Sequence, residues 1–335
     1  MKPVIYGLEG LELSANERSF FAEARPAGYI LFKRNCADRA QLRRLTDSLR
    51  AIDGRADLPI LIDQEGGRVA RMRPPEWPEF PAAGAPFGAL YDVAPVSAIE
   101  AARANAQALA LTLAEVGVTV DCLPLLDVRQ EGASDVIGDR SFGSDPMRVA
   151  ALGRAVLDGL RRGGCVGVVK HMPGHGRALV DSHLKLPVVD ADAEALEADL
   201  APFIALKDAP MAMSAHIIYK AWDPDRPATI SPIVINDIIR DRIGFDGLLM
   251  TDDIDMKALA GTAGEKAAAA VAAGCDLALD CWARMDEMID IANSLDDIRP
   301  ESRARLDRAM ASLTPDPQGD LAALVARRDA LLSYA

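Results

Sequence analysis

The stretch Ala150-Ala151-Leu152-Gly153-Arg154-Ala155-Val156-Leu157-Asp158-Gly159-Leu160-Arg161-Arg162-Gly163-Gly164-Cys165-Val166-Gly167-Val168-Val169-Lys170-His171 carries two patterns in succession. In its first part Leu152, Ala155, Val156 and Leu160 recur at three- and four-residue steps, the spacing of a helix that covers one face of a sheet. Gly163-Gly164 ends that pattern, and Val166–Lys170 is a short β-rich apolar run that reads as a strand. Lys170 and His171 then place charge and hydrogen-bonding capacity where the strand stops.

The same unit recurs along the chain. Strands are expected near Val4–Leu8, Gly28–Phe32, Pro59–Ile62, Val118–Leu126, Val166–Lys170, Met211–Ile217, Gly247–Thr251 and Asp276–Leu279. Helices are expected over Gln41–Ile52, Ser97–Glu115, Ala150–Arg162, Ala193–Leu206, Val234–Ile243 and Lys257–Ala273. Such alternation means a parallel sheet with right-handed crossovers. Eight strands, with no Gly-rich phosphate loop after the first, favour closure into a TIM-type (β/α)8 barrel over an open doubly wound sheet. Arg73–Gly88, with Pro74, Pro75, Trp77, Pro78, Phe80 and Pro81, reads as a long loop after the third strand. Ser302–Tyr334 reads as helical and packed outside the barrel. No internal repeat or linker divides the chain, so one catalytic domain over residues 1–335 is expected.

Half of the 335 residues are hydrophobic, which is enough for a large core, but only 5% are aromatic, so Ala, Leu, Val and Ile must do most of the packing. A net charge of -13 leaves no basic stripe to neutralise phosphates and argues against a nucleic-acid partner. The segment Met1–Leu8 turns polar at Glu9 and does not read as a signal peptide, and no run is long enough for a membrane span. Cys36, Cys122, Cys165, Cys275 and Cys281 are scattered without zinc-type spacing, as for buried thiols in a reducing compartment. A cytoplasmic location is expected.

All four histidines fall at expected strand ends. His171, His175 and His183 share one segment, Lys170-His171-Met172-Pro173-Gly174-His175-Gly176-Arg177-Ala178-Leu179-Val180-Asp181-Ser182-His183, and His216 ends the sixth strand. Strand C-terminal ends are where barrel enzymes carry their sites. The segment resembles the signature of family 3 glycoside hydrolases in their single-domain bacterial β-N-acetylglucosaminidase branch, the enzymes of cell-wall recycling. Three further stretches resemble that family in order: Ile62-Asp63-Gln64-Glu65-Gly66-Gly67-Arg68-Val69-Ala70-Arg71, Ile137-Gly138-Asp139-Arg140-Ser141-Phe142, and Leu249-Met250-Thr251-Asp252-Asp253-Ile254-Asp255-Met256.

The resemblance implies a retaining exo-β-N-acetylglucosaminidase in which Asp252 is the nucleophile. A carboxylate needs no activation to attack at neutral pH; the bland alternative is that Asp252 or Asp253 caps the next helix. It further implies that His183 is the acid/base, oriented by Asp181. An i, i+2 pair in an extended loop points the same way, so the carboxylate can bond one ring nitrogen and steady the imidazolium. A loop-stabilising Asp–His bond without chemistry is the alternative. By the same resemblance Asp63, Arg71, Arg140, Lys170 and His171 hold the terminal sugar. The arginines could instead form a solvated rim, and Lys170 a buried ion pair. Asp127 and His216 also end strands and are secondary candidates to line the pocket.

Met172 stands where Phe or Ile is frequent in the family, and Asp255 where Ser is, so only pocket detail is affected. Larger relatives add a second α/β domain that this chain is too short to carry. No cofactor and no metal are implied; the partner is a small glycan or muropeptide, with no membrane and no protein partner implied. Two other classes compete. A metal-dependent barrel hydrolase would also use His, Asp and Lys at strand ends, but no His-x-His follows the first strand. A non-catalytic sugar-binding protein would keep the pocket without Asp181, His183 and Asp252 together. A histidine acid/base also leaves phosphate open as an alternative acceptor to water, and sugar phosphate formed at millimolar phosphate would reveal it.

Overall fold

Each barrel strand ends at the same mouth, because every one runs parallel to its neighbours. The computed structural model describes the chain apart from residues 83, 181–184, 315 and 335 and the side chain of Ala85. Its strands are β1 (Lys2–Gly7), β2 (Pro26–Leu31), β3 (Ile60–Ile62), β4 (Val120–Asp121), β5 (Val166–Met172), β6 (Val188–Val189), β7 (Met211–Ser214), β8 (Ile218–Tyr219), β9 (Leu248–Asp253) and β10 (Leu277–Asp280). Eight of them close into a barrel in the order β1-β10-β9-β7-β5-β4-β3-β2, and β6 pairs with β8 outside it. The ring shuts where Val4, Ile5 and Tyr6 stand opposite Ala278, Leu279 and Asp280. The fold is thus the expected (β/α)8 barrel.

Alternation along the strands divides the core into two layers. Ile5, Leu61, Val168, Met250 and Leu279 belong to the cluster inside the barrel, whereas Val4, Ile60, Val169, Leu249 and Ala278 belong to the layer beneath the helices. The surrounding helices are α1 (Ala15–Ala24), α2 (Arg39–Asp53), α3 (Ala85–Val93), α4 (Pro95–Glu115), α5 (Pro146–Arg162), α6 (Ala193–Ala205), a π-helical segment Val234–Arg242, α7 (Ala263–Ala273), α8 (Met285–Ser294), α9 (Pro300–Met310) and α10 (Leu321–Leu332). Leu306, Ala309 and Met310 of α9 join the inner cluster, so α9 stoppers the N-terminal end of the barrel. The C-terminal α10 packs on α4, where Arg328 donates to Asn105 at 3.0 Å. Among the described residues no helix is long and apolar enough to cross a membrane.

Several expected boundaries shift: α3 starts at Ala85, inside the loop expected over Arg73–Gly88, and the helical stretch expected over Ser302–Tyr334 is two helices, α9 and α10. Pairing of β4 stops at Asp121 rather than running to Leu126, because Pro124 has no N–H for a ladder; it resumes as a bridge from Leu125 to Lys170. β7 likewise ends at Ser214, short of Ile217. The helix expected from Lys257 begins at Ala263, since Thr262 and Glu265 form a capping box after Gly261, which has φ +107°. That cap also removes the capping alternative for Asp252 and Asp253.

Candidate active site

The loop after β3 is folded by one amide side chain. Gln64 Oε1 accepts from the backbone N–H groups of Arg71 (2.8 Å) and Met72 (3.0 Å), and Gln64 Nε2 donates to Met72 O (2.8 Å). Gly66 makes the turn with φ +91°, and a Cβ there would lie 2.1 Å from Pro81 O, so only glycine fits. The fold-back brings Arg71 to Asp63, where Nη2 donates to Oδ2 at 3.1 Å. From the end of β5, Lys170 Nζ reaches Asp63 Oδ1 at 2.9 Å and Glu65 Oε1 at 2.7 Å. Arg140, on the loop after β4, donates to both oxygens of Glu65 at 2.8 Å.

Two acids and three cations thus form one network at the bottom of the mouth. Lys170 and Glu65 have side chains only 2% and 1% exposed, so neither charge would survive there alone. Burial by itself would push the Asp63 and Glu65 carboxyls up, but Lys170, Arg71 and Arg140 outweigh it and hold both well below the usual carboxylate range. Burial would likewise lower Lys170, and its two carboxylate partners instead keep the ammonium charged.

Behind the network lies Asp127, fully buried after β4. Its Oδ1 accepts from the backbone N–H groups of His171 (3.1 Å) and His175 (2.7 Å), and its Oδ2 meets His171 Nδ1 at 2.8 Å. Burial opposes its ionisation, yet His171 and these hydrogen bonds keep the carboxyl near 2. The rings of His171 and His175 meet edge-on at 5.5 Å. Burial, then the neighbouring His171, lowers His175 to about 4, so it is neutral at pH 7.

Beyond His175 the segment runs along the loop after β4. Gln130 N–H donates to Gly176 O (3.2 Å) and Ser134 N–H to Ala178 O (2.8 Å), while Arg177 pairs with Asp199 at 2.5 Å. Gly176 passes so close to Val128 that a Cβ would lie 1.8 Å from its carbonyl oxygen. Asp181 and His183, the expected acid/base pair, lie outside the described residues.

At the end of β9 the two adjacent acids separate. Asp253 N–H donates to Asp252 Oδ1 at 2.8 Å, and the Asp253 carboxylate turns toward β10, accepting from the N–H groups of Asp255 (3.2 Å) and Cys281 (3.3 Å). Burial, with the charge of Asp252 adding to it, raises Asp253 to about 6. Asp252 instead lines a cavity of about 290 Å³ together with Asp63, Arg71, Arg140, Lys170 and His171. The six described residues expected from sequence therefore share one site, drawn from the ends of β3, β5 and β9 and the loop after β4.

Glu65 and His175 line the same cavity and were absent from the expected set. A signal existed for Glu65: it stands two residues after Asp63, on the same side of an extended chain. His216 lies elsewhere, fully buried, with Nδ1 on Thr229 Oγ1 (2.7 Å) and Nε2 on the carbonyl of Asp253 (3.0 Å). Among the described residues no group of three or more His, Cys, Asp or Glu side chains is gathered to hold a metal ion. A larger cavity, about 620 Å³, opens at the opposite end beside Val166, Pro210 and Gly247, and Arg154 and Arg308 there are paired with Asp208 and Asp246. Size alone does not locate chemistry; strand ends do.

Charged donors and acceptors converging on a pocket at the C-terminal mouth of a (β/α)8 barrel are the arrangement by which barrel enzymes hold a small polar molecule. Residues 5–314 match the N-terminal domain model of glycosyl hydrolase family 3, and the chain belongs to that family. It is 42% identical over 284 residues to a beta-hexosaminidase of Alkalilimnicola ehrlichii, covering 83% of this chain and 80% of that one. It is 38% identical to the beta-hexosaminidase of Methylococcus capsulatus, over 98% of this chain and 94% of that one. The crystal structure of NagZ from Neisseria gonorrhoeae in complex with N-trifluoroacetyl-D-glucosamine matches with a TM-score of 0.87 and 31% identity, covering 99% of this chain and 97% of that one. The protein is a glycoside hydrolase, and its substrate is a glycan.

Proposed function

We propose that the protein is a β-N-acetylhexosaminidase, specifically a retaining exo-β-N-acetylglucosaminidase, that releases terminal N-acetylglucosamine from peptidoglycan-derived muropeptides during cell-wall recycling. The hexosaminidase class is carried by the family and by curated relatives of that activity at about 40% identity. The observation that carries the mechanism is the sharing of one cavity by Asp252 and the Asp63–Arg71–Arg140–Lys170–His171 group. Its 290 Å³ lies at the small end of ligand pockets, roughly 300–1,000 Å³, and suits one terminal sugar better than a bound chain.

In the first step an Asp252 carboxylate oxygen bonds to the anomeric carbon as the bond to the glycosidic oxygen breaks. The His183 imidazolium, steadied by Asp181, gives its proton to that departing oxygen. In the second step neutral His183 takes a proton from water, whose oxygen displaces Asp252 with net retention. Asp63 accepts from sugar hydroxyls, while Arg71, Arg140, Lys170 and His171 complete the grip. The charges of Asp63, Arg71, Arg140 and Lys170 are fixed in place by their ion pairs with one another and with Glu65 before substrate arrives.

We read the whole chain, 1–335, as one catalytic domain acting in the cytoplasm. Five free cysteines, four of them buried, fit a reducing compartment. The test is turnover of an aryl N-acetyl-β-glucosaminide by the parent, Asp252→Ala and His183→Ala. The first substitution should abolish release of the chromophore and the second lower it severely. Parent-like activity in both would refute the mechanism. N-acetylglucosamine released from a disaccharide ending in anhydro-N-acetylmuramic acid tests the recycling role.

A further inference from the structure

We propose that Asp127 is a positioning residue that holds a proton on Nδ1 of His171, so that whenever the ring is neutral Nε2 is the nitrogen left to accept a hydrogen bond from substrate. The inference rests on the reading of the cavity as the sugar site and adds a residue that never touches it. Asp127 does not line the cavity; it sits behind His171, with no exposed surface.

The argument starts from what a carboxylate can do. An ionised Asp accepts hydrogen bonds and donates none. Asp127 is held in that form by the three contacts it receives, two from backbone N–H groups on Oδ1 and one from the imidazole on Oδ2. The partner facing Oδ2 must be an N–H, so His171 Nδ1 bears a proton. In the neutral ring Nε2 is then the lone-pair nitrogen, and the Nδ1 edge is already taken. Since His171 lines the cavity, Nε2 is what it can offer a sugar hydroxyl.

The same carboxylate also clamps the main chain. It ties His171 to His175 across a turn closed by Gly174 N–H donating to His171 O at 2.7 Å, and Tyr219 Oη donates to Gly174 O at 2.7 Å. Anchoring and tautomer selection therefore reside on different oxygens of one side chain, and a substitution can separate them. In Asp127→Asn the amide oxygen can keep both backbone contacts, while the NH2 group faces Nδ1. That nitrogen must then accept, and the proton moves to Nε2, reversing what the ring presents to substrate.

The experiment is 15N NMR of the full chain labelled at histidine, with His171 assigned by its loss in His171→Gln. In the unliganded parent we expect the proton on Nδ1; finding it on Nε2 overturns the proposal with no further variant needed. In Asp127→Asn we expect the proton on Nε2, and kcat/KM on an aryl N-acetyl-β-glucosaminide reduced at least tenfold. An unchanged tautomer, or a reversed tautomer with kcat/KM within twofold of the parent, overturns it. N-acetylglucosamine added to the parent checks the underlying site separately: if the His171 signals do not move, the sugar-site reading fails, whatever the tautomer.

Discussion

Glu65 and Arg140, 75 residues apart in sequence, are joined by two hydrogen bonds of 2.8 Å, and the same carboxylate is ion-paired with Lys170 at 2.7 Å. Parallel double contacts of this kind fix both the position and the plane of the guanidinium. Glu65→Gln keeps the shape but leaves two buried cations short of a counter-charge. Breaking a buried pair costs about 3–5 kcal/mol. The expected result is a fall in unfolding free energy of about that size, measured in urea, with kcat/KM down roughly a hundredfold. A variant as stable and active as the parent would show that the network is ornamental.

Asp252 and Asp253 are neighbours with opposite surroundings. Only Asp252 lines the cavity, whereas Asp253 is bonded to backbone N–H groups of Asp255 and Cys281. An activated 5-fluoro N-acetylglucosaminyl fluoride, which slows departure from a glycosyl-enzyme, should label Asp252. Peptide mass mapping reads the site, and label on Asp253 would reassign the nucleophile.

Asp280, behind the mouth on β10, is raised to about 7 by burial and by Asp253, itself raised to about 6. A carboxyl whose folded pKa lies above its unfolded value of about 4 adds stability that is fully present below that value and lost as pH rises through the folded pKa. This pair should therefore cost the parent thermal stability as pH rises from about 4 to about 7, with no further loss above that. Asp280→Asn should lose less, by a few degrees in Tm. His175, lowered to about 4, acts with the opposite sign below pH 6.5, but it is common to both proteins and cancels in the difference. Superimposable Tm–pH curves would discount the buried acid pair.

Gly176 tests the seat of the catalytic loop. Its missing Cβ leaves room for Val128 O, so Gly176→Ala must push the two loops apart. We expect kcat to drop roughly a hundredfold with the far-UV circular dichroism of the barrel unchanged. Retained kcat would mean that the loop position is not set at this contact.

The barrel and most of the described site were legible because both obey local rules. Strand ends are where apolar runs stop, and Asp63, Lys170, His171 and Asp252 each stand there. What escaped depends on partners distant in sequence. Asp127 looks like any polar residue after a strand until His171 and His175, 44 and 48 residues on, fold against it. His216 has the same sequence context as His171 but spends both nitrogens on Thr229 and the Asp253 carbonyl. The late start of α7 was a local signal passed over, since Thr262-Ala263-Gly264-Glu265 spells a capping box.

The stopper that α9 forms under the barrel has a bearing on how the site is reached. With Leu306, Ala309 and Met310 filling one end and side chains packing the lumen, nothing can be threaded through. A molecule held at the strand ends must therefore arrive and depart through the C-terminal mouth, and only the loops around that rim can regulate its passage.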